Sequence, residues 1–247
     1  MDFSTIGIVG GGVMGTGIAQ VAALAGFSVF VKEVEEKFLE KSQLDLSTGR
    51  YGLERAVDRG RVTPEDARAA LKRVSFTLDL PDLKGADLVI EAVPENKPLK
   101  EKVLAELDRT LKPEAVIATN TSGFSVTELA RSVKRPGQFL GLHFFSPVPV
   151  MRVVEIIHHP ETSPAAIESC EAFVRKIGKE SIRVKDAPGK YGFAANRIYF
   201  AMIQEAQKVV AEGLATPADI DKVMTLGFNW PVGPFGMVQG ARGGWKK

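Results

Sequence analysis

Two side chains at a fixed separation carry the clearest chemistry in this chain. His143 ends the run Phe139-Leu140-Gly141-Leu142-His143, and Glu155 sits twelve positions later inside Val153-Val154-Glu155-Ile156-Ile157. An imidazole titrates near neutrality and so can both take and return a proton. A carboxylate bonded to one ring nitrogen fixes the tautomer and stabilises the imidazolium, leaving the other nitrogen to act as base. A solitary buried carboxylate is costly, so Glu155 needs a partner; His143 competes for it with Arg152 or another cation in a plain structural salt bridge. Set among Leu142, Phe144 and Phe145, the histidine also reads as a packed core residue. Pro147 and Pro149 deny the following segment a helix and hold the ring in place. His158 and His159, which close the next strand before Pro160, read as surface residues.

A second chemistry lies at the start of the chain, where Thr5-Ile6-Gly7-Ile8-Val9 feeds Gly10-Gly11-Gly12-Val13-Met14-Gly15. This is G-x-G-x-x-G after an apolar strand. Gly10 permits a tight turn, Gly12 lets a pyrophosphate approach the backbone, and Gly15 lets the helix pack on the sheet. The unpaired amides at the helix start, around Val13 and Met14, then face the anion. Ile18, Val21, Ala22 and Ala25 continue a helical stripe, Gly26 stops it, and Ser28-Val29-Phe30-Val31-Lys32 resumes as a strand. Glu33 follows at about the twenty-residue distance that places an acid beside an adenosine ribose. It accepts from a 2′-hydroxyl and repels a 2′-phosphate, which favours NAD over NADP; Lys32 and Lys37 soften that preference. The plainer reading of Glu33 is the opening of a charged helix, Glu33 to Lys41.

These residues need elements to position them. Asp87–Val93, Ala115–Thr119 and Phe139–His143 read as further strands, with a helix from about Pro98 to Leu111 between the first two. Strands alternating with helices imply a doubly wound, mostly parallel sheet of the Rossmann type, whose ligands collect outside the carboxyl ends of the strands. Glu91, Glu95-Asn96, Asn120-Thr121-Ser122 and His143 all stand at such ends, and Glu95 and Asn120 join the glycines as cofactor candidates. Phe38 to Leu71 reads as an inserted helical arm of two stretches around Gly49, Gly52 and Gly60, with Thr63-Pro64-Glu65-Asp66 as a helix start. From Arg50 to Arg73 it holds seven arginines and lysines against four acids. Such an excess reads as a solvated hairpin or as a landing strip for a polyanionic ligand arm.

Composition bounds the rest. The 247 residues, 45% hydrophobic, suffice for one α/β core and a smaller second unit. A formal charge of +2, with no basic run interleaved with aromatics, gives no nucleic-acid signature. Cys170 is the only cysteine, which excludes an intramolecular disulfide and suits a reducing cytoplasm. Met1-Asp2-Phe3 runs straight into a strand, leaving no room for a signal peptide, and no apolar stretch reaches membrane-spanning length. The expected organisation is a dinucleotide-binding domain over 1–187, with the arm at about 36–73, and a helical domain over 188–247. Arg197 to Val210 and Pro217 to Leu226 read as helices of the second, the latter capped by Thr216.

Taken together, these segments resemble the L-3-hydroxyacyl-CoA dehydrogenase family, including the 3-hydroxybutyryl-CoA dehydrogenases, over nearly the whole chain. The resemblance rests on the glycine motif, on Asp87-Leu88-Val89-Ile90-Glu91-Ala92-Val93-Pro94-Glu95, and on Asn120-Thr121-Ser122. It rests equally on His143-Phe144-Phe145-Ser146-Pro147-Val148-Pro149-Val150-Met151 with Val154-Glu155-Ile156, and on Gly192-Phe193-Ala194-Ala195-Asn196-Arg197. It implies that His143 and Glu155 are the catalytic pair, that Ser122 and Asn196 touch the substrate, and that Lys100 contacts cofactor or coenzyme A. It further implies NAD as cofactor, an acyl-CoA thioester as substrate, a site between the two domains, and a homodimer formed through a complete helical domain. Ser122 otherwise reads as a helix cap before Phe124, and Asn196 as a bond at a helix start.

The chain departs from the family pattern at three places. Tyr191 stands where a proline commonly precedes Gly-Phe, Gly236 where an acid often follows Phe235, and the chain stops at Lys247 where the family continues through further helices. Either the chain is a shortened form or Trp230, Phe235 and Met237 are buried in another way. A dehydrogenase of a free hydroxy acid or sugar acid, and a dinucleotide-binding protein without turnover, stand as the other readings.

Overall fold

The computed structural model describes residues 2–186 and 193–243, which fall into two compact units, Met1–Phe193 and Ala194–Lys247. The expected domain boundary at 187/188, and Tyr191 and Gly192, lie outside the described residues.

The first unit holds eight strands: β1 (Thr5–Val9), β2 (Ser28–Lys32), β3 (Val74–Thr77), β4 (Leu88–Glu91), β5 (Val116–Thr119), β6 (Phe139–Phe144), β7 (Val153–His158) and β8 (Glu180–Lys185). They lie in the order β3-β2-β1-β4-β5-β6-β7-β8. Every pairing is parallel except β6 with β7. Strand order reverses between β1 and β4, which opens a crevice at their carboxyl ends. The central strands are buried on both faces, as their continuous apolar runs require, and alternate residues serve opposite layers. Leu88 and Ile90 of β4 join the core on one side of the sheet, whereas Val89 joins the other.

The helices of this unit are α1 (Val13–Leu24), α2 (Glu36–Ser47), α3 (Leu53–Asp58), α4 (Pro64–Lys72), α5 (Lys97–Thr110), α6 (Val126–Leu129) and α7 (Pro164–Lys176). Ile18 and Ala22 of α1 and Phe173 and Val174 of α7 fill one core with Ile6, Ile8 and Val154. Leu104 and Leu107 of α5 fill the other with Val89 and Ile117. Phe173 meets Phe27 at a ring-centroid distance of 5.4 Å, and truncating such a buried ring costs about 3–5 kcal/mol. Cys170 is fully buried in the same layer, and burial pushes its thiol pKa far up, so it packs as a small apolar residue.

The arm contains three helices, α2 to α4, where the sequence suggested two stretches. The chain doubles back after α2 at Gly52, where a Cβ would stand 2.7 Å from the Ser47 carbonyl oxygen, and α3 starts from that turn. Thr63 caps α4 as expected, its hydroxyl accepting from the Asp66 amide at 3.1 Å. Strands β3 and β8, not anticipated from the sequence, form the two edges of the sheet. The start of β1 is tied to β4 through Asp87, whose carboxylate accepts from the Ser4 and Thr5 amides and from Lys112. Burial works to raise this carboxyl, but those hydrogen bonds outweigh it and hold the pKa at about 2.

The second unit contains α8 (Ala194–Ala211), α9 (Pro217–Gly227) and α10 (Pro234–Gly243). Thr216 caps α9, accepting from the Asp219 amide at 3.2 Å. The start of α10 receives an acid after all: Asp221 of α9 accepts from the Phe235 and Gly236 amides, both at 2.8 Å. A Cβ at Gly233 would stand 2.3 Å from the Asp221 Cα, so this approach requires glycine. Among the described residues, no helix is long and apolar enough to cross a membrane.

Candidate active site

The glycine turn leaves β1 at Gly10, whose φ of +96° lies in the left-handed region that glycine tolerates. A Cβ on Gly15 would stand 1.9 Å from the Gly10 carbonyl oxygen, so turn and helix are in backbone contact. Gly12 is the opposite case: it is exposed, and a Cβ there would meet no protein atom within 4 Å. Side chains cap α4, α5, α6 and α7, whereas none caps α1, α2 or α3. The first amides of α1, at Val13 and Met14, thus remain available to an anion. Glu33, just past β2, accepts from the Gly11 amide at 2.6 Å through Oε1 and from the Val34 amide at 3.2 Å through Oε2. The acid is therefore pinned to the turn that it serves. An open Gly12, an uncapped helix start and an anchored carboxylate fit a dinucleotide with a free ribose 2′-hydroxyl. Replacing Glu33 by glutamine is expected to shrink the kcat/KM preference for NADH over NADPH by at least about tenfold, the scale of one charge-assisted hydrogen bond. An unchanged ratio in parallel assays would place ribose discrimination elsewhere.

His143 and Glu155 are directly opposed across the antiparallel β6–β7 pair. His143 Nδ1 lies 2.7 Å from Glu155 Oε2, and both side chains are 4% exposed. A carboxylate only accepts, so Nδ1 carries the proton and Nε2 is the nitrogen left for chemistry. The ring is wedged between Phe145, at a centroid distance of 4.5 Å, and Phe193, at 5.2 Å and nearly edge-on. Phe193 is itself fully buried with a φ of 65°, a conformation that a bulky residue rarely holds without surrounding support. Between His143 and Arg152, the structure sets the histidine against Glu155.

The other histidines require a correction. His158 is half-buried, and His159 is buried rather than on the surface. His159 Nε2 donates to the Pro136 carbonyl at 3.0 Å, while Nδ1 accepts from the Glu161 amide at 3.3 Å. Burial pushes its pKa down, so the ring is a neutral bracket for the turn after β7.

The strand-end polar residues separate into two tiers. Glu95 Oε1 accepts from the Thr121 hydroxyl at 2.5 Å and from the Ser122 amide at 3.0 Å, tying the loop after β4 to the one after β5. Ser122 is exposed, and the cap of α6 is Ser125, so Ser122 is not the helix cap. Asn120 is buried, and its side-chain oxygen accepts from the Phe144 amide at 3.0 Å, which fixes the backbone immediately after His143. Lys100 is placed differently from the expected ligand contact. Its side chain is 1% exposed, and Nζ donates to Glu91 Oε1 at 2.8 Å and the Val93 carbonyl at 3.1 Å, with Glu95 Oε2 at 3.4 Å. Three acceptors around one ammonium hold it inward, bonded to Glu91 and paired at longer range with Glu95. Glu91 also accepts from the Thr119 hydroxyl at 2.6 Å and the Val93 amide at 2.8 Å. Sequence reasoning missed this buried cluster, although the signal was the one applied to Glu155: an acid inside an apolar run needs a cation. Asn196 is the third residue of α8, in the second unit. Among the described residues, no group of three or more histidine, cysteine or acidic side chains could hold a metal ion.

An open glycine turn and a carboxylate-held imidazole at the ends of strands in one sheet fit a nicotinamide-dependent dehydrogenase. The 3-hydroxyacyl-CoA dehydrogenase NAD binding domain matches residues 5–187, and the C-terminal domain of the same enzymes matches 192–243. A probable 3-hydroxybutyryl-CoA dehydrogenase of Deinococcus radiodurans is 40% identical over 230 residues, covering 92% of this chain and 80% of that protein. The 3-hydroxybutyryl-CoA dehydrogenase of Bradyrhizobium diazoefficiens is 41% identical, covering 93% of this chain and 76% of its own. The crystal structure of (S)-3-hydroxybutyryl-CoA dehydrogenase PaaH1 from Ralstonia eutropha superposes with a TM-score of 0.88 at 41% identity, over 94% of this chain and 80% of that one. The chain belongs to the 3-hydroxyacyl-CoA dehydrogenase family, and its dinucleotide is NAD.

Proposed function

We propose that this chain interconverts L-3-hydroxyacyl-CoA and 3-ketoacyl-CoA thioesters, with His143 as general acid and base. The observation that carries this reading is the buried 2.7 Å contact between His143 Nδ1 and Glu155 Oε2. Bound NAD supplies the hydride acceptor, nicotinamide C4. His143 Nε2 takes the proton of the C3 hydroxyl during oxidation and returns it to the ketone oxygen during reduction. Neutral imidazole serves the first direction and imidazolium the second, and the Glu155 contact orients the ring in both. Glu95 holds the Ser122 backbone, and we assign the Ser122 hydroxyl to the reacting oxygen and Asn196 to that oxygen or the thioester carbonyl. Gly10, Gly12, Val13, Met14, Gly15 and Glu33 hold the dinucleotide, with Glu95 beside them and Lys100 and Asn120 behind.

Relatives at 40–41% identity are named for 3-hydroxybutyryl-CoA and others at 39% as fatty acid oxidation complex subunits, so chain length is the variable to assay. Cytoplasmic residence suits the single buried thiol. Self-association through the second unit suits the exposure of Ile198, Phe200, Leu226 and Phe228 there. Steady-state assays with short and long 3-ketoacyl-CoA esters, with NADH and NADPH in parallel, test the reading; turnover of free keto acids without turnover of the thioesters would replace it with the hydroxy-acid dehydrogenase.

The arm belongs to the same proposal. Arg50, Arg55 and Arg59 supply positive charge that a phosphorylated coenzyme A tail would meet. Replacing all three with glutamine is expected to raise KM for acetoacetyl-CoA at least about fivefold, as weakened phosphate contacts would. A coenzyme-A-free thioester should be unaffected; equal effects on both would leave the arm without a coenzyme A role.

A further inference from the structure

Glu91 and Lys100 form an ion pair closed to ligands, the acid fully buried and the lysine nearly so. Such a pair adds little to stability, because desolvation offsets the attraction. Its use lies in what it holds. Glu91 Oε1 takes the Lys100 ammonium and the Val93 amide, each at 2.8 Å, so the acid at the end of β4 is gripped from α5 and from its own following loop. The other two acceptors of Glu91 both reach the end of β5. Oε2 accepts from the buried Thr119 hydroxyl at 2.6 Å, and the main-chain carbonyl accepts from the Asn120 amide at 2.8 Å.

The end of β5 in turn governs β6. The last pairing between these strands is Thr119 with Gly141, so Leu142, His143 and Phe144 run on past the end of β5. On that side the Phe144 amide faces no further strand, and an unmet buried amide is costly. The Asn120 side-chain oxygen takes the missing place, accepting from it at 3.0 Å. On the other side, β7 pairs with the same three residues. His143 thus sits in a segment held by a strand along one edge and by a single side chain along the other. A second branch leaves from Lys100: Glu95 Oε2 lies 3.4 Å from Nζ, and Glu95 Oε1 accepts from the Ser122 amide at 3.0 Å.

We propose that Glu91 and Asn120 are positioning residues for the proton transfer at His143, a role that rests on the proposed function. Glu91, clamped by Lys100, fixes the end of β5, and Asn120 carries that fixed point to the backbone beside the imidazole. Being fully buried, Glu91 acts through geometry alone. The same carboxylate serves Ser122 at longer range, through Lys100 and Glu95, so both assigned contacts of the reacting oxygen in the first unit are referred to one buried acid. Misplacing a reacting group by about 1 Å can cost about a hundredfold in rate, which gives such a frame a kinetic consequence.

Thr119→Val severs Glu91 from β5 with little change of shape, Thr119→Ser restores the hydroxyl, and Asn120→Leu removes the acceptor for the Phe144 amide. Each is compared with the parent, all bound to NADH, by NMR of isotopically labelled histidine, in which the His143 signal is the one lost in His143→Gln. The parent should show the tautomer with the proton on Nδ1. Thr119→Val and Asn120→Leu are expected to mix in the other tautomer and to lower kcat with acetoacetyl-CoA at least about tenfold, the scale of one lost buried hydrogen bond. Thr119→Ser should recover the parental signal and most of the turnover. A general loosening of the fold would lower the melting temperature without changing the tautomer. Parental signal and turnover in both of the disrupting variants, lost turnover with the parental tautomer, or a Thr119→Ser protein as impaired as Thr119→Val overturns the inference. Should Thr119→Val fail to fold, Asn120→Leu decides through the same two readouts. Spectra that change as expected in a protein without acetoacetyl-CoA turnover would refute the proposed function and leave the bracing of the ring in place.

Discussion

His143→Gln is expected to leave NADH binding intact and to cut turnover of acetoacetyl-CoA at least about a hundredfold, the lower end of general-base effects. Glutamine fills much of the space between Phe145 and Phe193, and its amide can donate to Glu155, so the carboxylate is not stranded. That matters because removing one member of a buried pair outright costs about 3–5 kcal/mol and would confuse lost folding with lost chemistry. What glutamine lacks is a nitrogen that gains and loses a proton near neutral pH. The loss should therefore fall on kcat, with NADH affinity from fluorescence titration unchanged. Turnover equal to that of the parent would remove His143 from the reaction and the proposed function with it.

The second large effect comes from the glycine turn, where two substitutions of the same size should fail differently. Gly15→Ala places a carbon against the Gly10 carbonyl oxygen, a backbone atom that can yield only by moving the turn. Overpacking of this kind costs about 1–3 kcal/mol. Gly12→Ala places the carbon in open space and should leave the melting temperature of the free protein where it is. In the proposed seating a pyrophosphate approaches the backbone at Gly12, so NADH affinity should fall at least about tenfold. Gly15→Ala should lose both stability and affinity. Calorimetric melting beside NADH titration checks the contrast; a Gly12→Ala protein that binds NADH normally would mean that the dinucleotide does not lie across this turn.

Much of this site was readable from residue types because its parts obey local rules. A glycine whose φ must be positive, a helix start without a cap and an acid after the second strand are separated by short stretches of chain, and their spacing encodes their geometry. The pairing of His143 with Glu155 was open, since Arg152 was a competing partner, and only the β6–β7 register decides it. Edge strands were harder to read. Val74–Thr77 is four residues long, and Glu180–Lys185 leaves Ile182 53% exposed, so neither shows the apolar run of a central strand. His159 misled because Pro160 and Glu161 beside it look like a surface turn, whereas its partner carbonyl belongs to Pro136, 23 positions away. Lys100 misled for a related reason: it follows the strand-end residues Glu95 and Asn96, but its ammonium turns inward to Glu91.

The reversed direction of β7 has a consequence for how the dyad tolerates change. Cross-strand neighbours share a face, and a slip of one residue would send the Glu155 carboxylate to the far side of the sheet while His143 stayed. The main-chain ladder therefore acts as a ruler for the His143–Glu155 pair. Insertions within 145–152 would alter the connection while leaving that ruler unmarked, whereas one extra residue inside β7, between its start and Glu155, would part the pair without changing either side chain.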